Sequence, residues 1–298
     1  MIWSLSGQGR VLDFRSRVQI MGILNVTPDS FYDGGRHYDV GSAVEKALEL
    51  QESGADVIDV GGESSRPSMY GIAECLSVED ELDRVIPVIE ALRSRSQVPL
   101  SIDTTKSQVA RAALLAGADI VNDISALTGD DAMAATVSEL KSPLILMHRR
   151  GNAATMQLNT HYDDLIAEIS NFLVGQINIA AAAGIEREMV AVDPGLGFGK
   201  AAADNFVLIA ELGRFAQLDC PIVVGASRKS FLWKPLGLSP EKCLEPSLAA
   251  AALAAYRGAH MIRVHDVKST IRAVRTVEAI IRASPNGFKE SRVMGSAK

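Results

Sequence analysis

The chain reads as α/β, a single-domain (β/α)8 TIM barrel, and three observations predict it. Short β-branched apolar runs recur along the sequence, nearly every one finishes on a polar or ionisable residue, and most lead into a stretch with helical periodicity. Units of about 20 to 45 residues without tandem self-similarity argue for right-handed βαβ crossovers and against a solenoid. Eight such units within 298 residues match the usual size of a closed parallel barrel. A doubly wound open sheet is the competing architecture, but no strand here runs into the GxGxxG turn that its dinucleotide sites need.

The first strand ends on the amide of Asn25 inside the stretch Met21 to Phe31, followed by a loop of hydroxyls, a carboxylate and a ring. Val57 to Val60 leads into Gly61-Gly62-Glu63-Ser64-Ser65-Arg66-Pro67, Leu100 to Ile102 ends on Asp103, and Ile120-Val121 ends on Asn122-Asp123. Leu144 to Met147 ends on His148, and Met189 to Val192 ends on Asp193-Pro194-Gly195. Ile222 to Gly225 runs into Ser227-Arg228-Lys229-Ser230, and Met261 to Val264 closes on His265-Asp266. Helical patterns between them include Gly41 to Ser53, Val78 to Ser94, Lys106 to Ala116, Tyr162 to Ala183 and Val267 to Ala283. Residues 1–283 are assigned to the barrel and 284–298 to a flexible, polar C-terminal tail. The nearest approach to a phosphate loop, Gly195 to Lys200, fails as a Walker A sequence: Pro194 stands at its first glycine and Ala201 where Ser or Thr would bind magnesium.

With 47% apolar and 22% charged residues, the chain can bury a large core without disulfides. Its three cysteines, Cys75, Cys220 and Cys243, form no CxxC pair, which favours a reduced cytoplasmic setting. The apolar run Leu248 to Tyr256 is far short of the roughly 18 residues a membrane span requires, and the start does not resemble a signal peptide. A net charge of −6 opposes nonspecific nucleic-acid binding.

The charge pattern at strand ends narrows the chemistry. Arg66, Lys200, Arg228, Lys229, Arg263 and His265 fall just beyond strands in an otherwise acidic chain, and a barrel binds its ligands at that end, so an anionic ligand is expected. Asp103, Asn122 and Asp193 each end an apolar strand; two carboxylates and an amide facing inward suit a flat heterocycle with several N–H donors. The plainer reading of Asp103 and Asp193 is that they cap the turns that follow them.

Eight blocks in order carry a family resemblance: MGILNVTPDSF at Met21 to Phe31, GADVIDVGGESSRP at Gly54 to Pro67, IDTTK at Ile102 to Lys106, GADIVNDIS at Gly117 to Ser125, LMH at Leu146 to His148, DPGLGFGK at Asp193 to Lys200, GASRKSF at Gly225 to Phe231 and RVHDV at Arg263 to Val267. From about Gln19 to Ala283 the chain resembles the dihydropteroate synthases of the pterin-binding barrel family. The resemblance implies transfer of a pterinylmethyl group from 6-hydroxymethyl-7,8-dihydropterin pyrophosphate to the amine of p-aminobenzoate. It places the pterin against Asp103, Asn122, Ile124, Met147, Asp193, Lys229 and Arg263, and the pyrophosphate against Asn25, Arg263 and His265. Mg²⁺ would bridge the pyrophosphate to Asn25 and Asp33, and p-aminobenzoate would meet Phe31, Ser65, Arg66, Pro67, Phe198, Lys229 and Ser230. Asp103, Asp193, Lys229, Arg263 and His265 are the expected catalytic groups. A homodimer is the family's habit; no nucleic-acid or membrane partner is implied. Ser65 stands where threonine is usual, Ser68 to Gly71 replace the common residues after Pro67, and Arg149-Arg150 bring two extra cations after His148. Two alternatives stay open: a pterin-barrel methyltransferase with a corrinoid partner, which has no need of the GESSRP block at Gly62 to Pro67 or the SRKS block at Ser227 to Ser230, and a non-catalytic pterin-binding paralogue.

Overall fold

The structure is a computed structural model that describes residues 1–5, 10–27, 39–63, 76–151, 155–156 and 159–283. All eight expected strands are present: β3 (Gln19–Asn25), β4 (Val57–Gly61), β5 (Leu100–Asp103), β6 (Ile120–Asp123), β7 (Leu144–Met147), β8 (Val190–Asp193), β9 (Val223–Val224) and β10 (Met261–Val264). They form one parallel sheet in the order β8-β7-β6-β5-β4-β3-β10-β9, and the parallel bridge Val192 to Ile222 joins its two edges, as in a (β/α)8 barrel. Helices follow in crossover positions, among them Val40–Glu52, Val78–Arg95, Ser107–Ala116, Leu165–Ala182, Leu244–Tyr256 and Val267–Ala283.

Local sequence explains where these helices begin. Asp39 accepts the Gly41 N–H at 2.9 Å, and Ser77 accepts the Asp80 N–H at 3.0 Å, so each supplies an acceptor to an otherwise unpaired helical amide. The helix after Ser77 carries Glu79, Asp80 and Glu81 in its first turn and Arg93 and Arg95 in its last, matching the peptide dipoles at both ends. Leu165–Ala182 is long and apolar enough to cross a membrane by composition, yet its Ile166, Ile169, Leu173 and Ile177 pack into the core between helices and sheet.

Before the barrel lies a feature that the sequence reading missed. β1 (Ile2–Ser4) pairs antiparallel with β2 (Val11–Asp13), and Trp3 and Phe14 meet edge to face with ring centres 5.0 Å apart. They pack against Met21, Val57, Ile120, Ile145, Ala191, Val223 and Met261, the inward residues at the N-terminal ends of the strands. The hairpin therefore plugs the floor of the barrel, and the Trp3 indole N–H, buried there, is satisfied by the Glu188 carbonyl at 2.9 Å.

Because side chains alternate along a strand, the inward positions continue upward as Asp59, Ser101, Asp103, Asn122, Met147, Asp193 and Arg263. The apolar floor thus gives way, two residues on, to a polar ceiling at the C-terminal mouth.

Candidate active site

Arg263, on β10, is the hub of that polar layer. Its Nε donates to Asp59 Oδ2 at 2.5 Å and a terminal nitrogen donates to Asp103 Oδ2 at 2.6 Å. Asn122 Nδ2 donates to the same Asp59 oxygen at 3.2 Å. Asp103, Asn122 and Arg263 are thus brought together as expected, and Asp103 engages a cation instead of capping the helix after it. Asp59 is the residue that sequence reasoning missed. It sits in the middle of the run Val57 to Val60, and only its period-two registry with the inward Val57 and Gly61 marks it.

Burial sets the protonation chemistry. It pushes Asp103 up to about 7 despite the pull of Arg263, with Asp59, Glu81 and Asp123 adding repulsion. Asp193 is likewise raised by burial, against Lys229, the Gly195 N–H and the more distant cations Lys200 and Arg263. Its Oδ1 accepts that N–H at 2.7 Å, so Asp193 does cap the turn behind it while its carboxyl group remains at the mouth. Burial lowers Lys229 to about 8, the Asp193 carboxylate opposing and Arg263 reinforcing the shift. The Lys229 ammonium donates to the Leu196 carbonyl and stands 4.4 Å from the centre of the Phe198 ring. Ser230 opens the short helix that follows, exposed at its first turn. His265 Nδ1 lies 3.0 Å from Ser227 Oγ, which also accepts the His265 backbone N–H at 3.2 Å, so Ser227 fixes the ring's direction. Met147 is buried and Ile124 half-buried beside these groups. Asn25 ends β3, and its side-chain amide makes no hydrogen bond to another described residue. Phe31, Asp33, Ser65, Arg66 and Pro67 lie outside the described residues.

Two of the basic residues expected at the mouth are committed elsewhere. Lys200 is only 2% exposed: its Nζ reaches His148 Nδ1 at 2.9 Å and the Phe198 carbonyl at 3.0 Å. The cause is the loop after β8, which folds back against the loop after β7. Gly195 takes φ 72° where a Cβ would run into the His148 carbonyl oxygen, and this close approach draws Lys200 underneath. Burial, with Lys200 and Arg150 nearby, pushes His148 down to about 2, so its ring is neutral beside the lysine. Arg228 lies outside, at φ 59°, forked onto Asp266 at 3.0 and 2.6 Å. Of the two extra cations after His148, Arg150 pairs with Glu168 at 2.8 Å and stacks on Tyr162. A further unexpected cluster lies at the base of the loop after β4. Lys106 bridges Glu63 and the buried Glu81, each at 2.5 Å. Among the described residues, Lys229 and Arg263 bring positive charge to the polar layer, with His265 beside Ser227 and Arg149 near enough to act on Asp123.

The mouth thus sets Asp103, Asn122 and Asp193 together with Lys229, Arg263 and His265 above a floor sealed by apolar side chains. The sequence signature described as pterin binding enzyme matches residues 21–265. The dihydropteroate synthase of Escherichia coli (strain K12) is 48% identical over 282 residues, 95% of this chain and 98% of that one. The chain belongs to the dihydropteroate synthases of the pterin-binding enzyme family. Solved structures agree with that membership. The Xanthomonas albilineans dihydropteroate synthase with 4-aminobenzoic acid aligns with a TM-score of 0.86 at 45% identity, covering 94% of this chain and 98% of that one. The same organism's enzyme in complex with 7,8-dihydropteroate aligns at 0.83 and 44%, covering 94% and 99%.

Proposed function

We propose that this barrel mouth joins 6-hydroxymethyl-7,8-dihydropterin pyrophosphate to p-aminobenzoate, giving 7,8-dihydropteroate and pyrophosphate, by a path in which the leaving group departs first. The observation that carries the reading is the meeting of Asp103, Asn122 and Asp193 with Lys229 and Arg263 over a closed apolar floor. A neutral aniline nitrogen is a modest nucleophile, whereas the electron-rich pterin can delocalise a cation. The C–O bond breaks with its electron pair passing to pyrophosphate, the amine lone pair forms the C–N bond, and the ammonium proton is then lost. Arg263 and His265 offset the charge on the departing pyrophosphate, and the carboxylates of Asp103 and Asp193 offset the cationic ring. No covalent enzyme intermediate is needed, so the buried free thiols of Cys220 and Cys243 take no part, and they fit a reduced, cytoplasmic setting.

Asn25 and Asp33 are the residues that would hold Mg²⁺. The Asn25 amide, unengaged by other described residues at the strand end, and a carboxylate are hard oxygen donors of the kind this ion takes alongside substrate phosphates. When bound, it would neutralise charge on the pyrophosphate oxygens. On the p-aminobenzoate side, Phe198 and Lys229 stand together with Ser230 at the next helix, and Phe31, Ser65, Arg66 and Pro67 complete the same reading.

A homodimer belongs to this reading. The helices Ala202–Ala210 and Leu244–Tyr256 pack side by side and expose Phe206, Val207, Leu253 and Tyr256, apolar area that a second copy would cover. The deciding experiment follows pyrophosphate release and dihydropteroate by chromatography, with and without p-aminobenzoate and Mg²⁺. Equal yields of both products that require both additions support the reading. Pterin binding without product would refute it.

A further inference from the structure

The contacts and chemistry assigned so far leave one fully buried carboxylate of the polar layer without a task. Asp59 has no exposed surface, lies one inward layer beneath Asp103, and meets the incoming substrate through no assigned contact. Both of its hydrogen-bonding neighbours, Arg263 and Asn122, are residues that the proposed reaction uses. We propose that Asp59 is the positioning residue of the site, holding Arg263 by its Nε and Asn122 by its Nδ2 so that both present their remaining polar atoms to the pterin pyrophosphate.

The argument rests on the proposed reaction and runs from the division of labour around Arg263. At present the guanidinium is shared between two carboxylates, Nε on Asp59 and a terminal nitrogen on Asp103. In the reaction Asp103 serves the pterin and Arg263 serves the leaving group, so the Asp103 contact has to be shared or given up. Without a second carboxylate to hold it, a long side chain released by Asp103 would lose its alignment. Nε is the guanidinium nitrogen joined to the stem. A carboxylate fixed there sets the plane of the fork while leaving the terminal nitrogens free to exchange partners. The same Asp59 oxygen receives Asn122 Nδ2, which turns the Asn122 carbonyl oxygen away from Asp59 as an acceptor for a heterocycle N–H. Asp59 Oδ1 and Ser101 Oγ, at paired positions on β4 and β5, are both buried without a hydrogen-bond partner. Among the described residues the group is therefore tied to the barrel through Arg263 and Asn122 alone, which is what an alignment role requires and a load-carrying structural role does not.

The arrangement leaves a titration signature. Asp103 is faced by Arg263 from β10, Asp59 from β4, Glu81 from the helix Val78–Arg95, Asp123 from β6 and Lys229 from the loop after β9. Neutralising Asp59 removes one repulsive neighbour, so Asp103 should ionise at lower pH. A substitution that merely loosened the fold has no reason to produce that shift.

The test uses the whole chain and compares Asp59→Asn, Arg263→Met and the double variant. We expect Asp59→Asn to raise KM for the pterin pyrophosphate roughly tenfold or more, the loss expected of a charged hydrogen bond, with KM for p-aminobenzoate unchanged. The acid limb of affinity for 6-hydroxymethyl-7,8-dihydropterin should move to lower pH. In the Arg263→Met background, where Asp59 still holds Asn122, Asp59→Asn should cost clearly less than in the wild-type chain, because the arginine part of its task is already gone. An unchanged KM for the pterin pyrophosphate in Asp59→Asn, or an equal penalty with and without Arg263, would overturn the proposal. If Asp59→Asn does not fold, the double variant, which removes both charges together, is compared with Arg263→Met alone: pterin affinity lower by less than about tenfold, the part left to Asn122, supports the proposal, and a loss of tenfold or more overturns it. Dihydropteroate formation by the wild-type chain is scored separately. The affinity arms need binding only, so failure of the reaction reading and failure of the Asp59 assignment are told apart.

Discussion

Replacing Asp103 by asparagine separates charge from shape at the centre of the site. The substitution keeps an acceptor for Arg263 and leaves that arginine its second carboxylate, Asp59, so the fold is retained. With its side chain 12% exposed, Asp103 acts through a medium between water and dry protein. At an effective dielectric near 20, a carboxylate about 4 to 5 Å from the centre of a delocalised cation contributes about 3 to 4 kcal/mol. At 1.36 kcal/mol per tenfold, kcat should fall by roughly two to three decades. If Asp103 were only a hydrogen-bond acceptor, asparagine would preserve half of its function and the loss would stay near tenfold. The assay is pyrophosphate release at saturating p-aminobenzoate, with dihydropteroate measured in the same samples. A kcat within about tenfold of wild type would refute the cation-stabilisation argument. Stability supplies the control. The Asp103 pKa is raised in the folded protein to about 7, so the folded state binds the extra proton and wild-type stability declines as pH rises from near 4 to 7. Asparagine lacks that penalty. Asp103→Asn should therefore be at least as stable as wild type at pH 8, with its advantage fading toward pH 4, as chemical denaturation at the two pH values will show.

Lys229, lowered to about 8, should carry its positive charge below that pH and lose it above. We expect kcat/KM for p-aminobenzoate to fall as pH rises through about 8, and Lys229→Gln to be slow at every pH with that limb absent from its profile. Gly195→Ala places a side chain at φ 72° against the His148 carbonyl. The left-handed conformation costs about 1–2 kcal/mol and the forced shift about 1–3 more, so urea unfolding should show a loss near 3 kcal/mol. Asn25 and Asp33 would give Mg²⁺ only two protein ligands, so the ion should enter with its phosphate ligand. Mg²⁺ alone should leave Tm unchanged, pyrophosphate with Mg²⁺ should raise it, and chelation should abolish turnover reversibly.

The legible part of this molecule is the part where chemistry interrupts a pattern. Asp103, Asn122 and Asp193 stand out because each ends an apolar run, and a parallel barrel places strand ends together. Asp59 breaks a run in its middle, where the eye credits the run and passes over the residue. The hairpin escaped because β1 and β2 have three residues each, too few for a period to declare itself. Lys200 looked like a mouth cation because it follows β8, and only the approach of two loops through Gly195 sends it beneath the surface. Likewise Arg228 meets Asp266 38 residues further along, a pairing that no local reading supplies.

The sealed floor has an optical consequence. The chain has two tryptophans, and they sit at opposite ends of the barrel: Trp3 inside the plug, and Trp233 in the short helix that begins one residue after Lys229. A Trp233→Phe protein emits only from the plug, so its fluorescence follows the opening of the whole barrel and ignores what binds above. In a Trp3→Phe protein the remaining indole sits four residues along the chain from Lys229, on the helix that the p-aminobenzoate reading uses. The two variants divide one emission spectrum into a thermometer for the fold and a gauge for occupancy.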